Sequence, residues 1–82
     1  MNEKQAKIYA AFLDWKRARC WFSSNHITET TILLDDFNNY MDQSGLNVSV
    51  GIPTFERLLM SSYFKKLKAG SDTYWNGISI KS

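Results

Sequence analysis

The hydrophobic pattern of this chain changes its period near residue 63, and no other feature restricts the available folds as strongly. Before this point apolar residues recur at intervals of three and four, which is typical of helices. After it comes FKKLKAGSDTYWNGISIK, in which residue types alternate on either side of the turn-forming AGSD. Alternation on both sides of a turn predicts a β-hairpin, with strands at 63–68 and 73–80. We therefore expect an α+β protein that ends in a hairpin.

Helical spacing of apolar residues predicts three helices before the hairpin, at about 3–20, 30–44 and 52–62. Phe22 extends the apolar face of the first helix. Gly45 suits the left-handed residue that often follows a helix, and Pro53 suits a first helical turn, where its missing N–H costs nothing. Between the first two helices only a very short extended piece is expected, around Ile27.

The predicted core combines apolar residues of all three helices and of the last strand: Phe12, Trp15, Phe37, Tyr40, Phe55, Leu59 and Ile78. In the last strand, alternation places Tyr74, Ile78 and Ile80 on one face and Trp75 on the other. Tyr74 and Trp75 could offer a stacking surface to single strands, but packing onto the helices is the more common use of such residues. Nothing divides the chain, so residues 1–82 are expected to form one domain.

Several classes of protein are not expected from this composition. Cys20 and His26 are the only residues of their types, which argues against a disulfide framework and a zinc site. The N-terminal MNEKQAK has no signal-peptide character, and no apolar run reaches membrane-spanning length, so we expect a cytoplasmic protein. Without a glycine-rich phosphate loop, a nucleophile elbow or a histidine motif, we expect neither enzymatic activity nor a cofactor.

Charge is unevenly distributed although the net charge is only +2. Residues 1–25 and residues 55–82 each carry five Lys or Arg against two acids, whereas residues 26–54 carry four acids and no Lys or Arg. Such segregation could fold into one basic and one acidic face.

The order of these segments resembles a known family. An aromatic-rich first helix (FLDWKRARCWF) and HIT are followed by a second helix ending in SGL, then by TFERLLMSSYF and TYWNGISIK. Over residues 8–81 this pattern resembles the winged-helix domain at the C-terminus of phage and plasmid primase-helicases. It is also similar to the DNA-binding domain of the regulatory factor X proteins. The resemblance implies a winged helix that binds duplex DNA in replication or transcription, through its third helix and its hairpin, the wing.

The positions that match the family's DNA contacts are Arg57 on the third helix and Lys65, Lys66 and Lys68 in the wing. Ser61, on the same helix, could bond a phosphate or cap the turn into the hairpin. Three residues depart from the pattern: Glu56 beside Arg57, the exposed Met60, and Asp72 near the tip of a short wing. These departures argue against strong sequence specificity.

Other interpretations stay open. Lysines on a hairpin also protect an exposed sheet edge from aggregation. Lys16, Arg17 and Arg19 place positive charge at the C-terminal end of the first helix, where the helix dipole is stabilised by cations. The same three residues could also contact nucleic acid. A winged helix can instead bind a protein, so the chain could be a protein-binding module or a small phage-encoded inhibitor. Exposed Met60, with Tyr63 or Trp75 nearby, could supply its apolar anchor.

Overall fold

A computed structural model describes residues 2–81. The helices are α1 (Glu3–Arg19), α2 (Thr30–Gln43) and α3 (Ile52–Ser61), and the strands are β1 (Cys20–Glu29), β2 (Lys65–Ala69) and β3 (Asp72–Ile80). The strands form one antiparallel sheet in the order β1-β3-β2. The prediction of an α+β protein with three helices before a C-terminal hairpin is confirmed. Within residues 2–81, none of the helices combines the length and the apolar character needed to cross a bilayer.

Strand β1 is the main departure from the sequence prediction. Instead of a very short piece around Ile27, a ten-residue strand begins directly after α1. It pairs with β3 from Cys20 opposite Ile80 to Glu29 opposite Tyr74. The predicted two-stranded hairpin is therefore wrong as a description of the sheet, which has three strands among the described residues. Phe22, predicted on the helical face of α1, lies in β1 and is half-exposed.

The pairing of β1 with β3 is interrupted by a bulge. Ser23 lies opposite Gly77, but the next pair is Ile27 opposite Asn76, so residues 24–26 have no partner in the ladder. The side-chain amide of Asn76 donates to the carbonyl oxygens of Ser24, at 2.9 Å, and His26, at 3.1 Å. One side chain thus satisfies two of the backbone groups that the bulge releases.

Local capping fixes the start of α1 and the end of α2. Asn2 and Gln5 form a reciprocal capping box, with side chain to backbone distances of 2.8 and 3.1 Å. At the end of α2, Gly45 has a φ of 81°. The N–H of Leu46 donates to Met41 O, at 3.1 Å, as in a Schellman motif. The prediction for Gly45 is confirmed.

Helix α3 ends in the same motif with a different residue. Tyr63 has a φ of 68°. Its N–H donates to Met60 O at 3.0 Å, and the N–H of Phe64 donates to Leu59 O at 3.4 Å. A tyrosine therefore occupies the left-handed position that glycine usually fills.

The core is an aromatic cluster shared by the three helices and closed by the sheet. Of the seven predicted core residues, six are fully buried: Phe12, Trp15, Phe37, Phe55, Leu59 and Ile78. Tyr40 is partly buried and packs against the edge of this cluster. Cys20 is also buried, and burial raises the pKa of its thiol to about 12. A thiol with so high a pKa carries almost no reactive thiolate near neutrality.

The alternation predicted for β3 fails at Gly77. Trp75 and Ile78 both lie in the core although they are three residues apart. A regular strand would turn them to opposite faces. Gly77, with a φ of 103°, lies between them where the register shifts. Trp75 donates its indole N–H to Thr30 Oγ1, at 2.9 Å, so it packs against α2 rather than forming an exposed stacking surface.

We expect Gly77→Ala to lower the free energy of unfolding by about 1–2 kcal/mol, since an L residue is strained at this φ. Its Cβ would also come within 3.3 Å of the Phe64 ring. Gly51→Ala is the matched control, because Gly51 has no positive φ and its nearest contact would be 3.8 Å away. Urea unfolding of both variants measures the difference. Equal losses would mean that the conformation of Gly77 is not required.

Candidate nucleic-acid interface

The exposed face of α3 carries two of the residues predicted from the sequence. Arg57 and Ser61 lie one helical turn apart and both are exposed. The guanidinium of Arg57 makes only a long contact, 3.4 Å from Nε to Pro53 O, and no ion pair with any residue in the range 2–81. Ser61 donates to Leu58 O at 2.7 Å. Arg57 is thus available to a ligand, whereas the hydroxyl of Ser61 is already used within the helix.

A groove of about 410 Å³ runs between α3 and α1 beside these residues. Ile8, Tyr9 and Leu58 form its apolar part, and Arg57 and Ser61 lie along it. The groove therefore combines the positive charge of Arg57 with an apolar floor on one exposed surface.

The three lysines of β2 do not share one face of the sheet. Lys66 lies opposite Trp75 and Lys68 opposite Thr73, two residues of β3 whose side chains contact Thr30 of α2. Lys65 lies opposite Asn76, one position out of this alternation. Lys66 and Lys68 therefore belong to the face that carries the helices, and Lys65 to the opposite face.

Glu56 is neutralised by the hairpin. Its carboxylate lies 3.1 Å from the Nζ of Lys66, and both side chains are partly shielded from solvent. Glu56 therefore pairs with Lys66 and not with its neighbour Arg57. This ion pair connects α3 to β2, the two elements expected to contact DNA, and offsets the negative charge beside Arg57.

Two members of the basic group at the end of α1 are paired within the chain. Arg17 lies 2.6 Å from Asp14. Arg19 donates to both carboxylate oxygens of Asp36, at 3.1 Å from Nε and 2.8 Å from Nη2. These contacts favour a structural role for both arginines.

Lys16 extends toward α3 instead. Its ammonium donates to Ser62 Oγ at 2.9 Å and lies 5.1 Å from the centre of the Phe12 ring. Burial lowers its pKa, an effect that the weaker interaction with Cys20 opposes. The sequence offered no sign that Lys16 lies next to the end of α3, because that depends on how the two helices pack.

Asp36 is the centre of a network between α1 and α2. Besides Arg19, it accepts the indole N–H of the buried Trp15, at 2.8 Å. Burial raises the pKa of Asp36, but the hydrogen bonds from Arg19 and Trp15 outweigh burial and leave the pKa below its usual value. The carboxylate is therefore held in its charged form.

Two apolar side chains extend into solvent beside the candidate site. Met60 is 60% exposed and Tyr63 is 96% exposed. The sequence predicted exposure of Met60, but it could not show that Tyr63 has left-handed backbone at the junction of α3 and the hairpin.

No metal site accompanies these features. Within residues 2–81, histidine, cysteine, aspartate and glutamate nowhere form a group of three that could hold a metal ion. Comparison with known proteins finds no matching family model, curated protein or solved structure. The function is therefore inferred from the geometry of the residues themselves.

Proposed function

We propose that this chain is a winged-helix protein of phage or plasmid type that binds duplex DNA through α3 and the β2–β3 hairpin, in replication or transcription. The order of the elements and the β1-β3-β2 sheet support this architecture. One observation carries the proposal: the ion pair between Lys66 and Glu56 holds strand β2, which bears the lysines, against α3. Glu56 is followed on α3 by Arg57, which makes no ion pair within residues 2–81.

In the proposed complex the exposed face of α3 approaches a groove, and the hairpin lies along a phosphate backbone. Arg57 supplies a donor fork suited to phosphate or to a guanine edge. Lys68 lies on the same side of the sheet as α3 and contacts one strand, while Lys66 on that side holds the hairpin against α3 through Glu56. Lys65, on the opposite face, reaches only a phosphate on the far side of the hairpin. Few contacts to base edges are available, which is consistent with weak sequence preference.

The proposal predicts a steep salt dependence. Arg57, Lys65 and Lys68 make no ion pair within residues 2–81, whereas the charge of Lys66 is balanced by Glu56. If about three phosphates are neutralised, log K should fall with log salt at a slope of about −3. Replacing Lys65, Lys66 and Lys68 together with alanine should flatten the slope by about two units. Fluorescence titration of a labelled duplex at several salt concentrations measures both slopes, and circular dichroism checks that the variant folds.

Lys4→Ala is the control for this experiment. Lys4 lies near the start of α1 and lines a cleft with Gly45 and Leu46, about 18 Å along the helix from Lys16. Its removal should leave the slope unchanged. An unaltered slope in the triple variant would show that the phosphate contacts lie outside the hairpin. The absence of duplex binding at low salt would refute the proposed function.

A protein partner is the second candidate. The groove between α1 and α3, with its apolar floor, and the exposed Met60 favour it. An apolar anchor from a partner could fill such a groove, with Arg57 at its rim. Binding of this kind should change little with salt, so the same titrations separate the two candidates.

A further inference from the structure

Tyr63 is in a conformation that its own residue type disfavours. At the end of α2 the same helix-ending motif uses Gly45, which has no Cβ to clash, whereas at the end of α3 it uses tyrosine at a φ of 68°. Bulky residues are rare in left-handed backbone. Glycine at position 63 would allow the same hydrogen bonds without this strain.

The chain gains no evident stability from the tyrosine ring. The side chain is 96% exposed. Within residues 2–81 its hydroxyl makes no hydrogen bond, and its ring stacks on no other aromatic ring. The strain is therefore not offset by packing, which suggests that the ring acts outside the chain.

Basic residues lie next to Tyr63 along the chain and at the end of α3. The hydroxyl of the preceding residue, Ser62, accepts a hydrogen bond from the ammonium of Lys16, with 2.9 Å between Oγ and Nζ. Two residues after Tyr63 comes Lys65, which has no ion pair within residues 2–81, and then Lys66, whose charge is balanced by Glu56. An exposed aromatic ring next to a lysine-rich segment fits a polyanion with stackable bases better than an apolar protein surface.

We infer that Tyr63 stacks on an unpaired base, so that the preferred ligand is a duplex that opens into a single strand beside α3. This inference rests on the proposed function, because Tyr63 lies between the two elements proposed to contact the duplex. Lys16, which donates to Ser62, would contact a phosphate beside the stacked base. The duplex part of the ligand binds as proposed above, and the stacking adds a preference for the junction.

The test compares a blunt duplex with the same duplex carrying a short single-stranded extension. The first unpaired position holds 2-aminopurine, whose emission falls when it stacks. The protein should bind the extended duplex roughly tenfold more tightly, as expected for one stacked base, and should quench the probe. Tyr63→Phe should keep both effects, because the ring alone is required.

Tyr63→Gly should abolish the preference and the quenching while leaving affinity for the blunt duplex unchanged. The same variant should melt a few degrees higher, because glycine relieves the left-handed strain. A rise in melting temperature together with a loss of junction binding is not expected of a residue that only supports the fold.

Three results would overturn the inference. Equal affinity of the native protein for both ligands would refute it while leaving the proposed function intact. Retention of the junction preference by Tyr63→Gly would show that the ring does not provide it. Absence of any duplex binding at low salt would refute the proposed function and this inference with it.

Discussion

Replacing Phe37 with alanine is expected to lower the free energy of unfolding by about 3–5 kcal/mol. Phe37 is fully buried and stacks on Phe55, with ring centres 5.5 Å apart. It also meets Trp15 at 5.4 Å and Phe12 at 5.7 Å, both nearly edge-on. Since rigid rings from α1 and α3 surround it, the cavity left by alanine cannot collapse easily. Urea or guanidinium unfolding monitored by tryptophan fluorescence measures the loss.

Phe22→Ala provides a matched control for the same chemical change. Phe22 is half-exposed on β1, and its aromatic contact is a stacked pair with Phe64 at 5.9 Å. Its loss should cost about 1 kcal/mol. If Phe37→Ala costs less than about 1 kcal/mol, the buried face of α2 has been assigned wrongly.

Asp36→Ala is expected to cost about 2–3 kcal/mol near neutral pH, the second largest effect. The substitution leaves the buried indole N–H of Trp15 without an acceptor and removes the two-pronged contact with Arg19. Asp35→Ala is the control, because Asp35 is the exposed neighbour on the same helix and should change stability by less than about 0.5 kcal/mol. Similar losses in both variants would show that the network contributes nothing.

The same contribution should depend on pH in a defined direction. Because the pKa of Asp36 is lower in the folded than in the unfolded protein, its stabilisation is present above the unfolded value, about 3.9, and is lost as pH falls through the folded pKa. The difference in unfolding free energy between the native protein and Asp36→Ala should therefore shrink below pH ~4. A difference that stays constant into that range would contradict the assigned charge state.

The helices and the hairpin could be predicted because their signals are local. Apolar spacing located the ends of α1, α2 and α3 to within one residue, which is inside the usual uncertainty of helix ends. Gly45 marked the end of α2 by its own conformational preference. Strand β1 could not be predicted in this way. Its polar middle has no alternation, and its hydrogen bonds go to β3, far along the chain.

The candidate site, like the fold, could be predicted from the sequence only in its local features. The charges of Arg57 and the β2 lysines are evident in the sequence. The pairing of Lys66 with Glu56 and the position of Lys16 beside Ser62 depend on packing between elements. The conformation of Tyr63 depends on how α3 ends, and nothing about a tyrosine at that position predicts left-handed backbone.

The pairing of β1 with β3 has a consequence for how the protein folds. The hairpin closes through a short turn, whereas β1 must find β3 across the intervening α2, α3 and β2. Closing so long a loop costs entropy before the contacts repay it, and folding slows as contacting residues become more distant in sequence. The helices can begin to form quickly. We therefore expect the rate at which the native state appears to be limited by the encounter between β1 and β3.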